Sequence, residues 1–193
     1  MKIRKLLLII VFALILCPTM QAQDESRKEA SQQLGMALEY FTSGKYHEAL
    51  LMFEKLNGKY RLNPRYMAFM GSCYYYEWKY DKAIECFDKS LPQLSGFAPH
   101  ERSFYYWASA ESHFYMKRYK EAIPLYDTML TLCYDNEKPD AFYQLGFCYY
   151  FEADNQKAHD KFVQALSLYE SLRPEKKSRI VQLRNMIKGL EAE

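Results

Sequence analysis

The sequence predicts an all-α protein: an α-solenoid of four helix-turn-helix repeats followed by a C-terminal capping helix. Three observations carry that prediction. Four segments end on an alanine: Lys45-Tyr46-His47-Glu48-Ala49, Lys79-Tyr80-Asp81-Lys82-Ala83, Arg118-Tyr119-Lys120-Glu121-Ala122 and Asp154-Asn155-Gln156-Lys157-Ala158. Their alanines are spaced by 34, 39 and 36 residues. An aromatic residue, Phe53, Phe87, Tyr126 or Phe162, follows each alanine at i+4, which puts both side chains on one helical face. Each unit also carries an earlier apolar stretch spaced 3, 1, 3, as in Phe142, Leu145, Gly146, Tyr149 and in Met67, Met70, Gly71, Tyr74. That spacing draws one stripe on a helix. The glycine removes a side chain where a second helix must approach, and the alanine does the same from the other side. Large residues around two small ones then interlock as a helical hairpin.

The chain opens with Met1-Lys2-Ile3-Arg4-Lys5, an apolar run from Leu6 to Leu16, Pro18, and Met20-Gln21-Ala22-Gln23. A basic start, a short apolar core and a small residue before a polar stretch make a secretory signal peptide, 1–22. The run rises only about 16 Å as a helix, against a bilayer core of about 30 Å. Cleavage is expected after Ala22, although Met20 stands where a second small residue is preferred. An uncleaved anchor is the alternative. Lipidation at Cys17 is disfavoured because Leu16 stands where a small residue belongs.

Helices are expected at 27–43 and 46–57, 64–77 and 80–91, 101–116 and 119–132, 138–152 and 155–171, and 175–191. They divide a domain of residues 23–172 into repeats near 30–63, 64–97, 103–136 and 139–172, with 173–193 as the terminal helix. Pro64, Pro139 and Pro174 fall at helix starts, where a missing N–H costs little. Pro124 falls inside 119–132, so that helix should begin late or bend. Pro92 to His100 is the longest connection and the place to expect motion or an extra contact. In the terminal helix Ile180, Leu183, Ile187 and Leu190 form an apolar stripe suited to covering the last repeat. With its basic surplus, the same helix could instead dock on a partner or an anionic membrane face.

These units resemble tetratricopeptide repeats, whose pattern is an aromatic, Leu-Gly, Tyr, then Ala, Phe and Pro over about 34 residues. The fourth unit carries the pattern through Phe142, Leu145-Gly146, Tyr149, Ala158 and Phe162, and the second through Met70-Gly71, Tyr74, Ala83 and Phe87. The first is weaker, with Gln33, Met36-Ala37 and Tyr40 before Gly44, Ala49 and Phe53. The third departs at Ser109-Ala110 and at His113 in the tyrosine place, then recovers at Ala122 and Tyr126. With the leader, the chain resembles an exported bacterial member of that family, placed in the periplasm or cell envelope.

Charge and cysteine content narrow the function classes. Loss of Lys2, Arg4 and Lys5 with the leader takes the formal net charge from +2 to −1. A near-neutral chain has no whole-molecule field to hold nucleic acid. Cys73, Cys86, Cys133 and Cys148 remain, and none has the CxxC spacing of redox or zinc sites. Cys73 and Cys148 hold equivalent places a whole repeat apart. Helices pack about 8–10 Å apart, so that pair exceeds the roughly 7 Å limit for a disulfide. Buried free thiols are expected, with Cys73–Cys86 as the alternative bridge. His47, His100, His113 and His159 have no second ligand at metal spacing, and His113 is expected as a hydrogen-bonded core histidine. Glu48, Asp81, Glu85, Asp88 and Glu121 read as solvated faces. No catalytic motif is present, so no enzyme, cofactor or metal site is expected.

The informative feature is a second stripe on the first helix of each repeat. It comprises Tyr143, Phe147 and Tyr150 in the fourth, and Phe104, Trp107, Glu111 and Phe114 in the third. In the second it is Ala68, Ser72, Tyr75 and the neighbouring Tyr76, and in the first Leu34, Leu38 and Phe41. The tetratricopeptide resemblance implies that this face lines a concave groove, so repeats two to four would form an aromatic trough. Arg65 is its main cation, unlike a clamp for C-terminal carboxylates. Aromatic grooves suit extended or helical peptides, and such rings are enriched at binding hot spots. The expected function is a non-catalytic scaffold binding a protein or peptide. The alternatives are a glycan-binding module using the same rings, or a structural subunit of an envelope assembly docked through the last helix. Membrane contact would require an uncleaved leader or docking of that helix. The rings could also stack between repeats as core.

Overall fold

The protein is described by a computed structural model over residues 24–192, and the expected leader lies outside the described residues. Among these there is no strand. Helix α1 covers 24–42 and α2 Tyr46–Lys59. They are followed by α3 Pro64–Tyr76, α4 Tyr80–Ser90, α5 Pro99–Tyr115 and α6 Tyr119–Leu132. The last three are α7 Lys138–Phe151, α8 Asn155–Leu172 and α9 Lys177–Glu191. The chain forms two compact units, one ending at Arg61 and the other beginning at Leu62. The first holds one hairpin, α1–α2. The second holds three hairpins of the same kind, α3–α4, α5–α6 and α7–α8, with α9 packed on α8.

The small-large pairs build every hairpin. Ala49, Ala83, Ala122 and Ala158 are fully buried, and so are Phe53, Phe87, Tyr126 and Phe162. The two core glycines face these rings. A Cβ on Gly146 would stand 2.4 Å from the Phe162 ring, and one on Gly71 would stand 3.0 Å from Cys86 Cβ and 3.1 Å from the Phe87 ring. The glycine thus makes room chiefly for the aromatic residue four places beyond the alanine. In the last hairpin Ala158, Phe162, Ala165 and Tyr169 pack with Ile180 and Leu183 of α9. The terminal helix therefore covers an apolar face that the fourth repeat would otherwise present to water.

One backbone device closes all four hairpins. In the second, the Trp78 N–H donates to the Tyr75 carbonyl and the Lys79 N–H to the Tyr74 carbonyl. Equivalent bonds run from Gly44 and Lys45, from Lys117 and Arg118, and from Ala153 and Asp154. This is the Schellman helix end, which needs a left-handed residue. That residue is Gly44 in the first hairpin, but Trp78, Lys117 and Ala153, at φ 57°, 57° and 58°, in the others. The left-handed region costs a residue with a Cβ about 1–2 kcal/mol, partly offset by the larger entropy that glycine loses on folding. Lys117→Gly and Ala153→Gly are each expected to stabilise by about 0.5–1 kcal/mol, read as a higher urea midpoint at unchanged slope.

Several boundaries differ from expectation. Helix α5 starts at Pro99, because proline is preorganised for the first turn. Helix α9 starts at Lys177, and Pro174 belongs to the preceding turn, where the Lys176 N–H donates to the Arg173 carbonyl. Helix α6 does not begin late: it runs from Tyr119 with Pro124 inside it. Pro124 lies on the exposed side, where the carbonyl freed by its missing N–H can be reached by water. The long connection is a packed element. Leu91–Gln93 form a 3-10 turn, Leu94 is fully buried, and the Arg65 guanidinium lies 5.3 Å from the Phe97 ring centroid. His113 is buried as expected, but its Nδ1 has no hydrogen-bond partner. Burial pushes its pKa down.

Candidate functional site

The aromatic stripe falls on α3, α5 and α7, all within the second unit. Tyr75, Tyr76, Phe104, Trp107, Phe114, Tyr143 and Phe147 are half-buried, and Tyr150 is exposed. The rings form two groups. Around Trp107, Tyr75 approaches edge-on at 5.2 Å between centroids and Phe104 lies at 5.8 Å. Tyr76 joins this group through Tyr75, at 5.1 Å. Around Phe147, Tyr143 lies at 4.8 Å and Phe151 at 6.0 Å. Phe151 also meets Phe114 at 6.2 Å and Tyr150 at 5.7 Å. It is the unexpected member, joining the α5 and α7 stripes at their C-terminal ends. Part of the stripe is core as well: Phe147 and Tyr143 pack on the cluster around Phe162, and Trp107 and Phe114 on that around Tyr126.

The two groups border a cavity of about 400 Å³, lined by Phe104, Trp107, Tyr143, Glu111, Gln144 and Arg179 among others. This volume lies within the usual range of small-ligand pockets. The structure brings Phe104, Trp107 and Tyr143 to its lining; Tyr75, Tyr76, Phe114, Phe147 and Tyr150 lie outside it. Three of its parts escaped the sequence reading. Glu111 stood in the stripe as a lone charge, yet only 4 % of it is exposed. Gln144, the one amide side chain in Ala141 to Phe151, donates from Nε2 to Glu111 Oε1 at 2.7 Å. Arg179 comes from α9, and its guanidinium lies 3.7 Å from the Tyr143 ring centroid. Nothing in the spacing of repeats announces a contact from the capping helix.

The electrostatics of the cavity centre on Glu111. The Tyr126 hydroxyl also donates to its Oε1. Burial raises its pKa above the ordinary carboxylate range, and the bonds from Tyr126 and Gln144 oppose that rise. Glu137 and Asp140 also line the cavity. His100 faces Glu137 at 3.2 Å, and Asp140 takes the Arg173 guanidinium at 2.5 Å and the Tyr169 hydroxyl. Arg65, expected as the main cation of the trough, is held by Glu101 through bonds of 2.7 and 3.1 Å. The pairing neutralises it, so its charge is not offered to a ligand.

Other candidate chemistry is quiet. Cys73, Cys86, Cys133 and Cys148 are free thiols, and burial pushes Cys73 and Cys148 up to about 12, far from the thiolate form at neutral pH. Among the described residues no three His, Cys, Asp or Glu side chains group as metal ligands. No described helix is long and apolar enough to cross a membrane. Glu48, Asp81, Glu85, Asp88 and Glu121 are exposed.

No protein-family model matches the chain, and no curated protein matches it. Solved structures do. MamA from Desulfovibrio magneticus RS-1 superposes with a TM-score of 0.61 at 18% identity, over 84% of this chain and 93% of that one. MamA MSR-1 gives 0.63 at 16% identity, over 85% and 95%. A further crystal structure of MamA gives 0.59 at 18% identity, over 81% and 92%. At such identities the likeness is one of fold: an all-α, tetratricopeptide-like arrangement of helical hairpins.

Proposed function

We propose that the protein is an exported, non-catalytic scaffold that holds a peptide segment of a partner protein against the aromatic face of α3, α5 and α7. The observation that carries this reading is the convergence of Phe104, Trp107 and Tyr143 on an open cavity of about 400 Å³. Half-buried rings anchored on one side and open on the other offer large contact area at small entropic cost. The basic start and short apolar run of 1–22 support export to the periplasm or envelope. Docking through α9 is the weaker reading, because Ile180 and Leu183 are already buried and Arg184 is paired with Glu170 at 2.5 Å.

A display library of short linear peptides, panned on residues 23–193, tests the reading. Wild type is expected to enrich a set of peptides, and Trp107→Ala/Tyr143→Ala/Tyr150→Ala to bind them at least roughly tenfold more weakly. Circular dichroism must show that the variant stays folded. Absence of enrichment, or equal binding by the two proteins, would overturn the peptide-binding face. Oligosaccharide binding lost in the same variant would move the assignment to glycans.

A further inference from the structure

We propose that the cavity between α5, α7 and α9 receives the guanidinium of an arginine side chain carried by the bound peptide. This rests on the peptide-binding reading and specifies its anchor. Three aromatic walls, Phe104, Trp107 and Tyr143, surround the space, and ring faces attract cations. The buried end is a carboxylate. Glu111 is 4 % exposed and lines the cavity, and both of its hydrogen bonds arrive at Oε1. That leaves Oε2 as an acceptor for a ligand. Burying a carboxylate beside an open cavity is unfavourable unless something of opposite charge meets it. In the lining Asp140 is held by Arg173 and Glu137 faces His100, which leaves Glu111 as the lining carboxylate with no ion pair among the described residues.

Arg179 shows that a guanidinium suits these walls. It lies over Tyr143 at 3.7 Å and makes no ion pair among the described residues. The cavity remains open with Arg179 in place, so the Trp107 and Phe104 walls and Glu111 are available to a second cation. A planar guanidinium can stack on a ring and donate along its edge to a carboxylate at the same time; an ammonium is a compact point charge that lacks this combination. Arginine is therefore preferred to lysine.

The test uses tripeptide probes and the only tryptophan at the cavity. Trp78 and Trp107 are the only tryptophans, so Trp78→Phe leaves Trp107 as sole reporter. Acetyl-Gly-Arg-Gly-amide is titrated beside the same tripeptide with citrulline, the neutral isostere of arginine, and beside choline as a free small cation. The expected result is a saturable change in Trp107 emission with arginine, at least roughly tenfold weaker with citrulline or choline. Glu111→Gln should weaken arginine binding by at least roughly the same factor and leave citrulline unchanged. Should that variant fail to fold, the arginine–citrulline comparison on the parent protein decides. Equal binding of both tripeptides would overturn the arginine anchor while leaving the peptide-binding face standing. Choline binding as tightly as the arginine tripeptide would overturn the peptide origin of the cation. No saturation with any probe would also overturn the anchor, whereas the peptide-binding face is judged by the display experiment.

Discussion

Gly146→Ala is expected to destabilise the protein by about 2 kcal/mol, within the range that overpacking a core costs. The added Cβ would stand 2.4 Å from two carbons of the Phe162 ring, well inside van der Waals contact. Phe162 is itself fully buried and packs with Tyr143 and Phe147 on one side and with α9 neighbours on the other. The ring has nowhere cheap to go, so the α7–α8 spacing must open. Alanine's better helix propensity returns only about 0.5–1 kcal/mol. Gly71→Ala is the control. There the new atom meets Cys86 and Phe87 at 3.0–3.2 Å, a shift of a few tenths of an ångström relieves the contact, and the propensity gain offsets most of its cost. Urea midpoints of the two variants should differ clearly, with Gly146→Ala lower. Equal midpoints would mean that the glycine is not what sets the distance between these helices.

Glu111→Gln is expected to stabilise the protein at pH above the raised Glu111 pKa, by about 1–2 kcal/mol, the scale of relieving a buried charge that is only partly compensated. Glutamine keeps the shape, and its carbonyl can still accept from Tyr126 and Gln144. The pH dependence identifies the cause. Burial raises the Glu111 pKa in the folded state above its unfolded value, so the native carboxyl holds its proton over a range where the unfolded one has lost it. The stability associated with this group is therefore fully present below the unfolded pKa and is lost as pH rises through the folded pKa. Glu111→Gln removes that loss. Its advantage should vanish in acid and grow to a plateau above the raised pKa. A variant that gains stability while losing the arginine probe would show a carboxylate retained for binding at a cost to folding.

The fold was legible because a small residue and an aromatic at i+4 are a purely local pattern, repeated in phase. Ala83 with Phe87 or Ala158 with Phe162 states which face is inside and how close the next helix comes. The aromatic stripe was legible for the same reason: period assigns Trp107 and Tyr143 to one face. What period omits is the partner of that face. Arg179 reaches Tyr143 from a helix outside the repeats, and Glu111 is buried by Tyr126 and Gln144, which share no local signal with it. The left-handed turns were hidden too. Only Gly44 advertises one, whereas Trp78, Lys117 and Ala153 adopt it because the 5→2 and 6→1 bonds and the packing of the following helix demand it. Pro124 does not delay the start of α6, because its missing donor falls on the exposed side of that helix.

The wall supplied by α9 ties occupancy of the cavity to the docking of that helix on α8. Among the described residues α9 packs chiefly on α8, and an element held by few neighbours opens locally at lower cost than one enclosed on several sides. A ligand seated against Tyr143 and beside Arg179 binds the docked helix and loses part of its enclosure when that helix peels away. By linkage, filling the cavity lowers the population of the peeled state, and peeling speeds escape of whatever is held. On the peptide-binding reading proposed above, α9 is a latch as well as a cover for α8: its opening equilibrium would set how long a bound segment resides, even for substitutions in α9 that never touch the ligand.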